Sequence, residues 1–267
     1  MSLTEPTIES VAFEHPLNER TRSFLRLQFL LSELEHHRRD FSDWGLRASM
    51  RALLDTLSVL GRTDFKTELL KELSDWQAAL QRMHGHPEVK QQALREQLQA
   101  INQTQTALHR GPSGQPAALL RESDFLYAIH SRSAIPGGTC EFDLPAYHRW
   151  LSRDIGDIED DLNRWSARVM PYKSAVDLSM QLLRDSSRAT QHVASGGVFL
   201  QVPQATYSLI RVQLSSRDDV YPEISASKHR IAIRFMSLGN VNSRNVQATH
   251  DQPFVLQCCT PAGATGA

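Results

Sequence analysis

The chain has 267 residues, enough for one large domain or two modest ones. It is 40% hydrophobic with a formal net charge of -1, which suits a globular core and excludes a global field that would draw in nucleic acid or a membrane surface. Three cysteines, two of them adjacent, make a poor disulfide framework, and the opening MSLTEPTIES lacks a signal peptide's basic start and apolar run, so a cytoplasmic protein with reduced thiols is expected.

No apolar run approaches the roughly 20 residues of a membrane helix. Residues 1–10 are polar and expected to be disordered, as is the tail 260–267. Val11 to Phe13 reads as a short strand. Pro16 can open a helix, and Leu17, Phe24, Leu27, Leu31 and Leu34 form its apolar seam. Arg20, Arg22 and Arg26 fall off that seam and read as a solvated face. Asp43 is the expected N-cap of a second helix ending near Gly61. A third follows from Thr63, with Phe65, Leu69, Leu73, Trp76, Leu80 and Met83 on one stripe. A fourth runs from Pro87 to about Arg110 with Leu94, Leu98, Ile101 and Leu108. Short links between the four predict antiparallel, bundle-like packing.

Gly111 to Pro116 is a breaker-rich loop. One helix is then expected to hold Leu119, Leu120, Phe125, Leu126 and Ile129. Ile135 to Gly138 is a turn, Cys140 to Phe142 a possible strand, and Leu144 to Leu151 a short helix. Ile155, Ile158, Leu162, Trp165 and Val169 mark a further amphipathic helix. Met170-Pro171 interrupts it, and Tyr172 to about Ser186 continues as helix.

After Ser187 the pattern changes to short, alternating, β-branched runs: VFLQV, YSLIRVQL, HRIAIRFM and PFVLQC. Residues 188–267 carry 7 basic and 4 acidic residues, whereas residues 111–187 carry 8 and 11. The expected fold class is α+β. A bundle-like helical domain over 14–186, with possible edge strands at 11–13 and 140–142, packs with an antiparallel β domain over 188–259. In SKHRIAIRFM (Ser227 to Met236) strict alternation predicts one strand, with Lys228, Arg230, Ala232 and Arg234 on one face and His229, Ile231, Ile233 and Phe235 on the other. Arginine suits fork-shaped pairing with carboxylates.

Other clusters carry less chemistry. The acidic run Asp154, Asp157, Glu159, Asp160 and Asp161 lacks the glycine and spacing of a calcium loop, and reads as helix capping and solubility. Cys258 and Cys259 would point to opposite faces of a strand, so with His250 they make no zinc pattern. Gly137-Gly138 has no following lysine and no preceding strand, so it is no phosphate loop. No G-x-S-x-G nucleophile elbow occurs. No cofactor, metal or catalytic residue is expected.

Several strings together resemble one family: FEHPLNER (Phe13 to Arg20), TELLKEL (Thr67 to Leu73), LLRESD (Leu119 to Asp124), IPGG (Ile135 to Gly138), FDLP (Phe142 to Pro145), His148 with Trp150, YPEIS (Tyr221 to Ser225), and HRIAIRFM. In number, order and spacing they are similar to the Z-ring-associated protein D (ZapD) family. The resemblance implies a non-catalytic cytoplasmic homodimer with a helical and a β domain. It would act at the mid-cell Z ring by binding the C-terminal tail of the tubulin-like GTPase FtsZ and cross-linking its filaments. The resemblance assigns Arg230 and Arg234 to the tail pocket and His148 to its wall; Lys228 is a further candidate, and Arg121 and Arg132, which flank the His148 segment, would extend a cationic groove. Asp124-Phe125 departs from the family pattern, in which a cation can follow the acidic residues.

The tail is expected to bind in a groove between the sheet and the helical body. A second reading uses the same basic face as a nucleic-acid-binding module, against which stand the near-neutral domain and the placement of Phe235 opposite the arginines. A third, an enzyme of unrecognised type, rests only on a cleft that domains of this kind can form.

Overall fold

The computed structural model describes residues 10–111, 115–239, 242 and 244–263. The fold is α+β, and among the described residues the helices precede a set of strands that recruits one partner from the start of the chain. The chain divides into two compact units. One, the helical unit, spans Phe24–Met180; the other, the sheet unit, joins the described residues before 24 to those after 180.

In the helical unit, α1 (Glu19–His37, begun in the other unit), α2 (Asp43–Leu60), α3 (Phe65–Gln81) and α4 (Gln91–Arg110) keep the expected order. Phe24, Leu27, Leu31 and Leu34 of the first seam are buried, as are Phe65, Leu69, Leu73 and Trp76 of the third. Their ends depart from expectation by a few residues, in α1 and α2 because another side chain supplies the cap. Asn18, not Pro16, opens α1: its Oδ1 accepts from Thr21 N at 2.8 Å. Ser42, not Asp43, caps α2, accepting from Gly45 N at 3.1 Å. The fourth helix starts at Gln91 rather than Pro87.

The helix expected around Leu119 to Ile129 is two helices, α5 (Leu119–Glu122) and α6 (Asp124–Arg132). Ser123 separates them: it is extended, with φ -131° and ψ 106°, and its hydroxyl caps α6 through Leu126 N. α7 (Pro145–Leu151), α8 (Ile155–Ser166) and α9 (Met170–Arg184) complete the helices. Cys140 to Phe142 is not a strand. Gly138 N, Cys140 N and Leu144 N each bond a carbonyl three or four residues back, so the backbone groups an edge strand would offer are used in consecutive turns.

The sheet unit is a sandwich of two sheets. The strands are β1 (Ser10–Pro16), β2 (Thr190–Ala194), β3 (Val198–Gln201), β4 (Leu209–Ser215), β5 (Val220–Ala226), β6 (Ile231–Ser237), β7 (Val246–Gln247) and β8 (Gln252–Cys259). One sheet has the order β1-β4-β8-β2, the other β3-β6-β5, with β7 also on β6, and every pair is antiparallel. The first sheet contributes Ile210, Val212, Leu214, Phe254 and Leu256 to a shared core, and the second contributes Ile231, Ile233 and Phe235. The chain crosses from β2 to β3 through Gly196-Gly197. Gly197 has φ +75°, and a Cβ there would stand 2.2 Å from Ala248 O.

The strand expected at 11–13 extends over Ser10–Pro16, and Pro16 ends it opposite Leu209. A proline is tolerated there because β1 is the last strand of its sheet among the described residues. Residues 1–9 and 264–267 of the expected disordered ends, and 112–114 of the expected loop, lie outside the described residues. Ser10 is strand, and Thr260 N is held by Ser186 Oγ at 3.0 Å.

Glu14 ties the unit together. Its carboxylate accepts from Arg184 Nε at 2.7 Å and from Arg211 Nε at 2.8 Å. Arg211 also donates to Gln257 Oε1 at 2.6 Å. Burial raises the Glu14 pKa, but Arg184 and Arg211 outweigh it and hold the carboxyl below its ordinary 4.5. This stabilisation is therefore fully present above that value and is lost as pH falls through the lowered one. Glu14→Gln should cost about 2 kcal/mol near neutral pH, read as a melting temperature lower by about 4–8 °C. The gap from wild type should close as pH falls below 4.5 and through the lowered value.

Candidate partner-binding site

β6 sets the geometry of the basic face. Ile231, Ile233 and Phe235 are fully buried, so Ala232, Arg234 and Met236 must point outward. The strand begins at Ile231, which corrects the expectation of a single strand from Ser227. Ser227 to Arg230 form the turn joining β5 to β6. Ser227 N donates to Arg230 O at 2.9 Å, and Ser227 Oγ accepts from His229 N and Arg230 N at 3.2 and 3.3 Å. A serine that bonds the main chain two and three residues on favours a turn over a ladder. Lys228, His229 and Arg230 are thus exposed at a hairpin tip, and only Arg234 lies on the strand face.

Arg234 is not unopposed. Its Nη2 lies 3.3 Å from Glu223 Oε2, directly across the β5–β6 ladder, with the two side chains 60% and 47% exposed. An exposed pair of this kind is worth about 0–1 kcal/mol and is readily exchanged. Around Arg234 the outer face carries Val198 and Leu200 from β3, Ala232 and Met236 from β6, and Tyr221, Glu223 and Ser225 from β5. The sequence reading placed Ala232 on the face of the arginines but missed Leu200 and Glu223 as their neighbours. The strings containing them were visible, but register is a long-range property, and β5 with Pro222 at its centre does not read as a strand.

The other three expected site residues belong to the helical unit. Arg132, at the end of α6, pairs with Asp143 at 2.9 Å, and His148 of α7 lies 3.4 Å from Glu141. Both therefore brace one loop, which Arg47 also holds by donating to Thr139 O at 3.1 Å. α7 buries Tyr147, Trp150 and Leu151, which leaves His148 and Arg149 outward. Arg121 is exposed on α5, and its guanidinium has no hydrogen bond or ion pair among the described residues.

Phe125 stands in an aromatic cluster with Tyr147, Trp150 and Trp165, their ring centroids 5.9–6.2 Å apart. Asp124 lies in the first turn of α6, where the helix dipole favours an anion. Burial pushes the Tyr147 phenol up to about 12. The acidic run is occupied locally. Asp154 caps α8 through Gly156 N at 2.9 Å, and Asp161 accepts from Trp150 Nε1 at 3.0 Å and pairs with Arg153 and Arg164. Burial also pushes the Cys258 thiol up to about 11 and raises that of Cys259, so neither is a ready thiolate at neutral pH.

Among the described residues no helix is long and apolar enough to cross a membrane. A family profile described as ZapD, a cell division protein, matches residues 25–234. Cell division protein ZapD of Methylococcus capsulatus is 37% identical over 251 residues, covering 93% of this chain and 98% of that relative. Proteins of the same name from Azoarcus sp. (strain BH72) and Bordetella petrii are each 35% identical, covering 94% of this chain and 99% of each relative. The profile spans most of the sequence and the relatives align along nearly all of it, so the chain belongs to the ZapD family of cell division proteins.

Proposed function

We propose that this chain is a non-enzymatic division factor. In this reading it grips the C-terminal tail of FtsZ through Arg230 and Arg234, cross-links FtsZ filaments as a homodimer, and works in the cytoplasm at the mid-cell Z ring. The observation that carries the reading is the exposed arginine pair. The buried row Ile231, Ile233 and Phe235 fixes Arg234 outward, and the Ser227 turn leaves Arg230 and Lys228 exposed just before the same strand. Guanidinium groups so placed suit the carboxylates of an acidic tail. Family membership supplies the division context.

Arg121, Arg132 and His148 extend the proposal to the helical unit. There Arg132 and His148 would exchange Asp143 and Glu141 for a new carboxylate, whereas Arg121 meets no such competitor among the described residues. A single site of this kind is weak, because ordering a flexible tail costs entropy. A dimer presents two sites to a filament with many tails, and effective concentration then raises avidity without a stronger single contact.

Co-sedimentation of the full chain with FtsZ filaments, with and without the FtsZ tail, tests the proposal. Pelleting should require the tail, and binding that survives its removal would overturn the mechanism. Arg230→Glu with Arg234→Glu should abolish pelleting while leaving the melting temperature nearly unchanged, since both side chains are exposed. Glu223→Gln should act in the opposite direction. It removes the carboxylate that occupies Arg234, so affinity for a tail peptide in fluorescence anisotropy should rise by about two- to fivefold. Unchanged affinity in that variant would mean that Arg234 does not hold the tail.

A further inference from the structure

Among the described residues β3 and β5 are the two end strands of their sheet. Their free edges are not alike. Phe235 N donates to Gly197 O and Phe235 O accepts from Ala248 N, so both polar groups of Phe235 face the β3 and β7 side. Its partner across the other ladder is Pro222, which therefore sits at a non-hydrogen-bonded position with its ring, in place of an N–H, on the outer edge of β5. That edge is blocked to strand addition.

The β3 edge is open. Hydrogen-bonded pairs alternate along an antiparallel ladder. Counting from the Gly197–Phe235 pair, Phe199 and Gln201 direct their main-chain groups to β6, and Leu200 directs its N–H and C=O away from the sheet. Leu200 is 61% exposed and Val202, next along the edge, 73%. The cross-strand rows match this edge to a particular occupant. Val198 lies beside Arg234 and Leu200 beside Ala232, and beyond the last pair, Gln201–Ile231, the chain reaches Val202 on one side and the turn residue Arg230 on the other. An apolar step floored by a small alanine thus has Arg234 in the ladder on one side and Arg230, in the hairpin turn that leads into β6, towards the other.

We propose that the β3 edge takes an extended acidic peptide as an added strand. Its main chain pairs with Leu200, an apolar side chain covers Leu200 and Ala232, and carboxylates on either side reach Arg234 and Arg230. This rests on the reading of those arginines as tail-gripping residues, and names how the FtsZ tail lies on them.

The test uses the full chain and three synthetic FtsZ tail peptides: unmodified, and N-methylated at one or the other set of alternate residues. Strand addition uses only alternate N–H groups. One methylated set should therefore lose about tenfold or more in affinity, and the other should stay within about threefold of the unmodified peptide. Equal effects of the two sets, with binding still lost in Arg230→Glu/Arg234→Glu, would overturn the edge mode and leave the arginine reading standing. No binding of the unmodified peptide would overturn both. Leu200→Pro removes an outward N–H at an edge position and should also lose about tenfold with an unchanged melting temperature. A Leu200→Pro variant that binds peptide normally but no longer self-associates in sedimentation would overturn the proposal, and assign the edge to a second copy of this chain.

Discussion

The sheet unit depends on one carboxylate. Glu14 stands on β1 at the start of the chain, Arg184 at the end of α9 and Arg211 on β4, so one group joins parts of the chain separated by 170 and 197 positions. The long helical excursion between residues 23 and 181 has to end where it began, since β1 is useless until β4 exists to pair with it. Closing so long a loop costs entropy that local propensity cannot return. Phe13 of β1 packs partly against the sandwich core and returns part of that cost, and any other register would separate Glu14 from Arg184 and Arg211.

With β1 in place, the first sheet is broad enough to cover the second, and the position of Arg234 follows. A strand with three fully buried residues at alternate positions has no freedom in its remaining side chains. This much was legible in IAIRFM. The preceding SKHR continued the period of two without continuing the strand. Charged residues at alternate positions suit a strand and a turn equally, and Ser227 Oγ decided the matter with two local hydrogen bonds. The helical seams were legible for the same reason as IAIRFM, because Leu27, Leu31 and Leu34 repeat over enough turns to exceed any local accident. Ser123 and the turns at 135–144 were not, since single side-chain or main-chain bonds settle them.

What the sequence could not offer was lateral order. β2 has only five residues and β5 contains a proline, so period and propensity pass over them. Without them the C-terminal strands read as one sheet instead of two. The neighbours of each arginine then stay undefined, and with them Glu223, the carboxylate that holds Arg234. The aromatic setting of Phe125 was hidden in the same way. In sequence it stood where a cation was expected, and in space it fills a cluster of three other rings.

The two edges of the second sheet show how far a single residue's chemistry reaches. Pro222 and Leu200 are each one residue in an end strand, and both point a main-chain nitrogen away from the sheet. On β5 that nitrogen bears no hydrogen, and on β3 it does. An exposed edge with a free donor and an exposed leucine is a liability that proteins ordinarily suppress with charge, a proline or a covering segment. Here the suppression falls on one edge only, and the open one has Arg234 in an outer-face row and Arg230 in the adjoining turn. Like charges of that kind repel a second copy of the same edge while attracting an acidic strand. On that proposal the same two side chains set the character of the peptide the edge would accept.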